Sequence, residues 1–165
     1  MLFRSYRNAG QTCVCANRLY VQDGIYDAFV AKLAEAVGSL KVGDGFDDGV
    51  NLGPLIDDQA LTKVETHIAD ALGKGARMVV GGKRAEAGPN AGRFYQATVL
   101  ADVTSDMLCA REETFGPVAP VFRFKTEAEA IAAANATEFG LASYFFSRDV
   151  GRIFQIGRAS CRERV

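Results

Sequence analysis

Apolar positions along the chain alternate between helical and strand spacings. Leu19-Tyr20-Val21 reads as a short strand, with Asp23 after it as a helix cap. In that helix Ile25, Phe29, Leu33, Val37 and Leu40 recur every three or four residues and form one apolar face. Val42 to Pro54 holds five glycines or prolines and three aspartates, the composition of a loop. A second helix is expected from about Asp58, with Leu61, Val64, Ile68 and Leu72 inward and Gly75 placed to end it. Met78-Val79-Val80 reads as a strand, Gly81-Gly82 as a turn and Arg84 to Gly92 as a polar loop. Tyr95 to Val103 and Val118 to Phe124 are rich in branched and aromatic residues and read as strands. Thr126-x-x-Glu129 is a capping box that opens a helix through Asn135, and Tyr144-Phe145-Phe146 closes the series as a buried strand. This order predicts an α/β fold, a mainly parallel sheet with flanking helices.

Composition narrows the functions available. A chain of 165 residues is long enough for one domain with its own core, and a net charge of -1 gives nucleic acid or an anionic membrane no reason to bind. No apolar run approaches the ~20 residues of a membrane span, and the start does not read as a signal peptide. The four cysteines are expected as free thiols in a reducing, cytoplasmic compartment. Zinc fits poorly, because Cys13-x-Cys15 is too closely spaced and His67 is the only histidine. His67 reads as a surface or boundary residue without a role. Asp44, Asp47 and Asp48 miss the calcium-loop spacing and read as a solvated turn. No metal site is expected.

Chemistry concentrates in Asn8-Ala9-Gly10-Gln11-Thr12-Cys13. A cysteine just after a glycine-containing turn can present its sulfur where backbone N–H groups converge, which lowers a thiol pKa and can hold an oxyanion. A small buried hydrophobe is the competing reading of any free cysteine. Tyr6-x-x-x-Gly10-Gln11-x-Cys13 resembles the active-site cysteine signature of the aldehyde dehydrogenase superfamily. Glu112-Glu113-Thr114-Phe115-Gly116-Pro117-Val118, about a hundred residues on, resembles that family's E-E-x-F-G-P-V. Gly53-Pro54-Leu55-Ile56 is similar to the G-P-L-I loop found between them. The resemblance runs from Tyr6 to about Gln155, and it is strongest to the succinate-semialdehyde dehydrogenase branch, whose cysteine loop is very nearly Arg7 to Arg18.

The resemblance implies an NAD- or NADP-dependent oxidoreductase acting on a small-molecule aldehyde, in a homo-oligomeric parent enzyme. It makes Cys13 the nucleophile, passing through a thiohemiacetal and a thioester. It places Glu113 on the nicotinamide ribose, Phe115 beside the nicotinamide ring and Arg7 on the distal carboxylate of the substrate. Cys15 has two readings, a packed neighbouring thiol or a redox partner that blocks Cys13. Residues 6–155 are expected to be part of the catalytic domain, with the cofactor-binding domain absent and the piece inactive alone. Residues 1–5 and 156–165 are expected to be foreign, adapter-like tails that add nothing to the fold. Competing functions are oxidation of another carboxylated aldehyde, such as glutarate semialdehyde, and a degenerate non-catalytic domain.

Overall fold

A computed structural model describes residues 5–86 and 92–159. Its central sheet joins β1 (Leu19–Gln22), β2 (Arg77–Val80), β5 (Thr98–Ala101) and β6 (Val118–Phe124) in the order β1-β6-β5-β2. Both β1 and β5 run parallel to β6, while β2 pairs antiparallel with β5 at the edge. The expected α/β fold with a mainly parallel sheet is therefore present. Two short strands, β3 (Arg84–Ala85) and β4 (Phe94–Tyr95), form a separate antiparallel ribbon. The polar stretch expected from Arg84 thus begins as a strand. The single strand expected over Tyr95 to Val103 is divided between the two sheets.

Helix α1 (Tyr26–Gly38) departs from its expected start and face. A 3-10 turn at Asp23–Ile25 precedes it, and Asp23 makes no capping hydrogen bond. The Arg123 guanidinium claims that carboxylate instead, donating to Asp23 at 2.7 Å and to Asp27 at 2.8 Å. Ile25 is exposed, and the buried face runs through Tyr26, Val30, Leu33 and Val37. Tyr26 displaces Ile25 from the core because its hydroxyl is satisfied there. It donates to the Val121 carbonyl at 3.0 Å and accepts from the Asp102 N–H at 2.7 Å.

Helix α2 (Asp58–Gly73) is capped by Asp57, which accepts from the Ala60 N–H at 2.7 Å. Leu61, Val64 and Ile68 face inward as the spacing predicts, whereas Leu72 is 39% exposed and His67 and Ala71 are buried. Gly75 ends the helix in the left-handed region (φ 96°). There the Ala76 N–H reaches back to the Ala71 carbonyl at 2.9 Å and the Gly75 N–H to that of Leu72 at 3.1 Å. A one-turn helix, α3 (Leu108–Arg111), leads toward β6. The capping box forms at the head of α4 (Glu127–Asn135), with Thr126 and Glu129 each accepting from the other's backbone N–H. The core lies where the inward faces of α1 and α2 meet β5 and β6.

The last third differs most from expectation. Tyr144-Phe145-Phe146 forms no strand, and Phe145 and Phe146 are exposed. Apolar side chains alone do not make a strand, which also needs a neighbouring strand to pair its backbone groups in register. Helix α5 (Val150–Ala159) follows, tied to the body by Arg152 to Glu127 at 2.9 Å and Asn135 to the Ala159 carbonyl at 2.9 Å. Ser5 and Ile156, the innermost residues of the two end segments, are both buried. Cys161 and Val165 lie outside the described residues.

Candidate active site

Three consecutive residues in the left-handed region start the cysteine loop: Asn8 (φ 53°), Ala9 (φ 54°) and Gly10 (φ 77°). Two of them are not glycine, so the segment holds strain that its surroundings must offset. Ala9 is buried, and Tyr6 anchors the segment to β5 by donating to the Thr98 carbonyl at 2.7 Å. Burial raises the Tyr6 phenol well above its ordinary pKa, so it stays a donor. After this run the chain makes a tight turn, closed by the Cys15 N–H to the Thr12 carbonyl at 2.8 Å. Cys13 sits at the turn's second position and is exposed. Among the described residues its backbone N–H and that of Val14 make no hydrogen bond. An exposed thiol beside two unspent donors can act as a nucleophile next to an oxyanion site.

Two links bring the other motifs to this turn. Gly10 packs directly on Gly116: a Cβ at Gly10 would lie 2.0 Å from the Gly116 carbonyl oxygen. Gly116 is pressed in turn against α2, where its own Cβ would meet Val64 at 2.3 Å. Gln11 makes the second link, donating to the Pro54 carbonyl at 3.3 Å and accepting from the Ile56 N–H at 2.8 Å. The cysteine loop, the Gly53–Ile56 loop and the Glu112–Val118 segment therefore converge. Asn8, Gln11, Pro54, Leu55, Ile56, Arg93 and Phe115 line one open cavity of about 450 Å³ between them.

Phe115 reaches this cavity from a left-handed backbone (φ 52°) and remains 39% exposed. Glu113 is exposed and, among the described residues, its carboxylate has no partner. Its two neighbours are held tightly. Asn17 donates to the Glu112 carbonyl at 3.2 Å and accepts from the Thr114 N–H at 3.0 Å. The Arg7 carbonyl accepts from the Thr12 hydroxyl at 3.2 Å and from the Cys15 thiol at 3.6 Å. Its guanidinium is exposed and carries no partner among the described residues. Cys15 is half-buried with a free thiol. Cys109, within α3, is fully buried, and burial pushes its thiol up to about 11, which makes it inert near neutral pH.

Sequence reasoning missed the residues that assemble the site. Gln11 and Asn17 bridge segments, a role only the folded chain displays. His67 is not at the surface. It is 2% exposed, with Nδ1 3.0 Å from the Thr114 hydroxyl and Nε2 3.4 Å from a Glu112 carboxylate oxygen. Its offset within α2 offered a signal, since it sits three residues after Val64 and one before Ile68 on the buried side.

The sequence model of the aldehyde dehydrogenase family matches residues 1–161. The NADP(+) succinate-semialdehyde dehydrogenase GabD of Escherichia coli (strain K12) is 61% identical over 158 residues, 96% of this chain and 32% of that protein. A glutarate-semialdehyde dehydrogenase of Pseudomonas aeruginosa is 60% identical over 155 residues, 94% of this chain and 32% of that protein. The Mycobacterium tuberculosis aldehyde dehydrogenase complexed with NAD+ superposes with a TM-score of 0.90 at 40% identity, over 96% of this chain and 32% of that one. The chain thus spans about a third of the length of the relatives it matches.

Proposed function

The chain belongs to the aldehyde dehydrogenase family, and we propose that it is one part of an NAD- or NADP-dependent dehydrogenase of carboxylated semialdehydes. Succinate semialdehyde is the first substrate to test. The observation that supports this reading is the convergence of two distant segments on the loop that carries Cys13, through the Gly10–Gly116 contact and the Gln11 bridges. As Cys13 attacks the aldehyde carbon, its Sγ bonds to that carbon and the carbonyl electron pair moves onto oxygen. The backbone N–H of Cys13 supplies one donor to that oxyanion.

When bound, NAD or NADP accepts the hydride that leaves the thiohemiacetal carbon. The residues present suit that group. Glu113 offers an unspent acceptor for ribose hydroxyls, and Phe115 offers an open aromatic face beside it. Loss of hydride leaves a thioester on Cys13, and water then releases the carboxylic acid and regenerates the thiol. Arg7 takes the distal carboxylate, for which a guanidinium with no other partner is suited. Residues outside this chain complete the machinery, so the piece alone turns over nothing.

Two expected outcomes test the assignments in the full-length enzyme. Arg7→Ala should weaken carboxylated semialdehydes by about 1.5–3 kcal/mol in kcat/KM, the worth of a hydrogen bond to a charged group. Uncharged aldehydes of equal length should change little; equal losses on both would make Arg7 a structural residue. Glu113→Gln should slow hydride transfer in single-turnover measurements and leave the rate of thiohemiacetal formation intact. An undisturbed hydride step would remove Glu113 from the cofactor site.

Glutarate semialdehyde is the second reading, favoured by the Pseudomonas aeruginosa relative at 60% identity. The ratio of kcat/KM for the two semialdehydes decides between them.

A further inference from the structure

We infer that His67 is a positioning residue for the cofactor half of the site: from inside α2 it holds Thr114 and faces Glu112, the two residues that flank Glu113. The inference rests on the reading of Glu113 and Phe115 as nicotinamide contacts.

Glu112 has extended backbone (φ -111°, ψ 149°), and side chains along an extended segment alternate in direction. Thr114 is turned inward and fully buried, while Glu113 between the two stays exposed. A buried imidazole costs free energy unless its nitrogens are matched to partners. A carboxylate can only accept, so the imidazole proton belongs on Nε2, toward Glu112 at 3.4 Å. Nδ1 is then the acceptor for the Thr114 hydroxyl at 3.0 Å. Asn17 holds the same two residues by their backbone. Glu113 is thus exposed on a segment whose residues on both sides, Glu112 and Thr114, are held. Thr114 is too buried to serve as a nucleophile, so the hydroxyl–imidazole–carboxylate line orients and does not catalyse.

This arrangement is most stable with a neutral ring, because a second proton puts a charge on a buried imidazole and forces the Thr114 hydroxyl to turn from donor to acceptor. Burial lowers the His67 pKa, and Glu112 offsets part of that effect; on the same helix Lys63 lowers it further and Asp70 raises it. The folded pKa lies below the unfolded one. The clamp is therefore intact above the ordinary imidazole range and is lost as pH falls through the lower folded value.

The test uses the full-length enzyme with NAD or NADP. His67→Leu should raise the cofactor KM and slow hydride transfer, together by roughly tenfold. The aldehyde KM and the rate of Cys13 alkylation by iodoacetamide should stay within about twofold. His67→Gln, which keeps a donor toward Glu112, should recover part of the loss. In the wild type the cofactor KM should climb on acidification, and in His67→Leu this rise should be absent. Should His67→Leu fail to fold, Thr114→Val removes the same hydrogen bond from its other end, and the wild-type pH profile needs no variant. Equal losses for cofactor and aldehyde, or an unchanged cofactor KM, would overturn the inference. If the wild type oxidises no carboxylated semialdehyde, the functional reading fails. Calorimetric binding of NAD and NADP to wild type and His67→Leu then still decides the role of His67.

Discussion

Serine in place of Cys13 is expected to cut kcat/KM of the full-length enzyme by roughly a thousandfold or more on every aldehyde. The argument is chemical, because the exchange changes only the attacking atom. Cys13 is exposed at the second position of a turn closed at 2.8 Å, so the smaller hydroxyl fits without disturbing packing. A serine hydroxyl carries far less anion near neutral pH than a thiol does, and it makes a poorer nucleophile toward a carbonyl. Affinity for NAD or NADP should be retained, since Glu113 and Phe115 are carried by a different segment. Activity within tenfold of wild type would remove Cys13 from the chemistry.

Alanine at Gly10 should cost about 3–5 kcal/mol of stability. The position has φ 77°, and a Cβ there would lie 2.0 Å from the Gly116 carbonyl oxygen and 2.4 Å from its carbon. Gly116 cannot retreat, because α2 stands behind it with Val64 where its own Cβ would go. Relief therefore requires the cysteine loop to lift off the Glu112–Val118 segment. Urea unfolding should show a lower midpoint at an unchanged slope. A loss below about 1 kcal/mol would mean that the loop relaxes freely and the contact does not hold the site together.

How legible these features were depends on how local their causes are. The capping box at Thr126 and Glu129 and the left-handed stop at Gly75 were plain in the sequence, because each is decided within a few residues. Strand β6 was equally plain, since five of its residues are buried and branched or aromatic residues dominate it. Asp23 misled because Arg123, a hundred residues away, offers a stronger partner than the helix start does. The face of α1 was displaced by one position for a similar reason. Spacing favoured Ile25, whereas Tyr26 finds two backbone partners on the sheet. Leu72 and His67 were exchanged in the same manner: polarity argued for an exposed histidine, and Thr114 made burial tolerable. At Tyr144 to Phe146 apolar content was visible, but strand formation depends on a neighbour that composition does not supply.

The site divides along the same line. Cys13, Arg7, Glu113 and Phe115 were nameable as candidates from motifs, while the contacts that join the segments carrying them were not. No pattern in the chain says that Gly10 meets Gly116 or that Gln11 spans to Pro54 and Ile56. Those contacts follow from where β1, β5 and β6 place the ends of three loops.

Covalent trapping addresses the nucleophile most directly. The full-length enzyme is mixed with succinate semialdehyde and NAD or NADP, quenched in acid within one turnover and digested, and the peptide spanning Tyr6 to Arg18 is weighed. A succinyl group on Cys13, formed only when the cofactor is present, is the predicted result. An acyl group on Cys15, or an unmodified peptide while the reduced cofactor accumulates, would contradict the account.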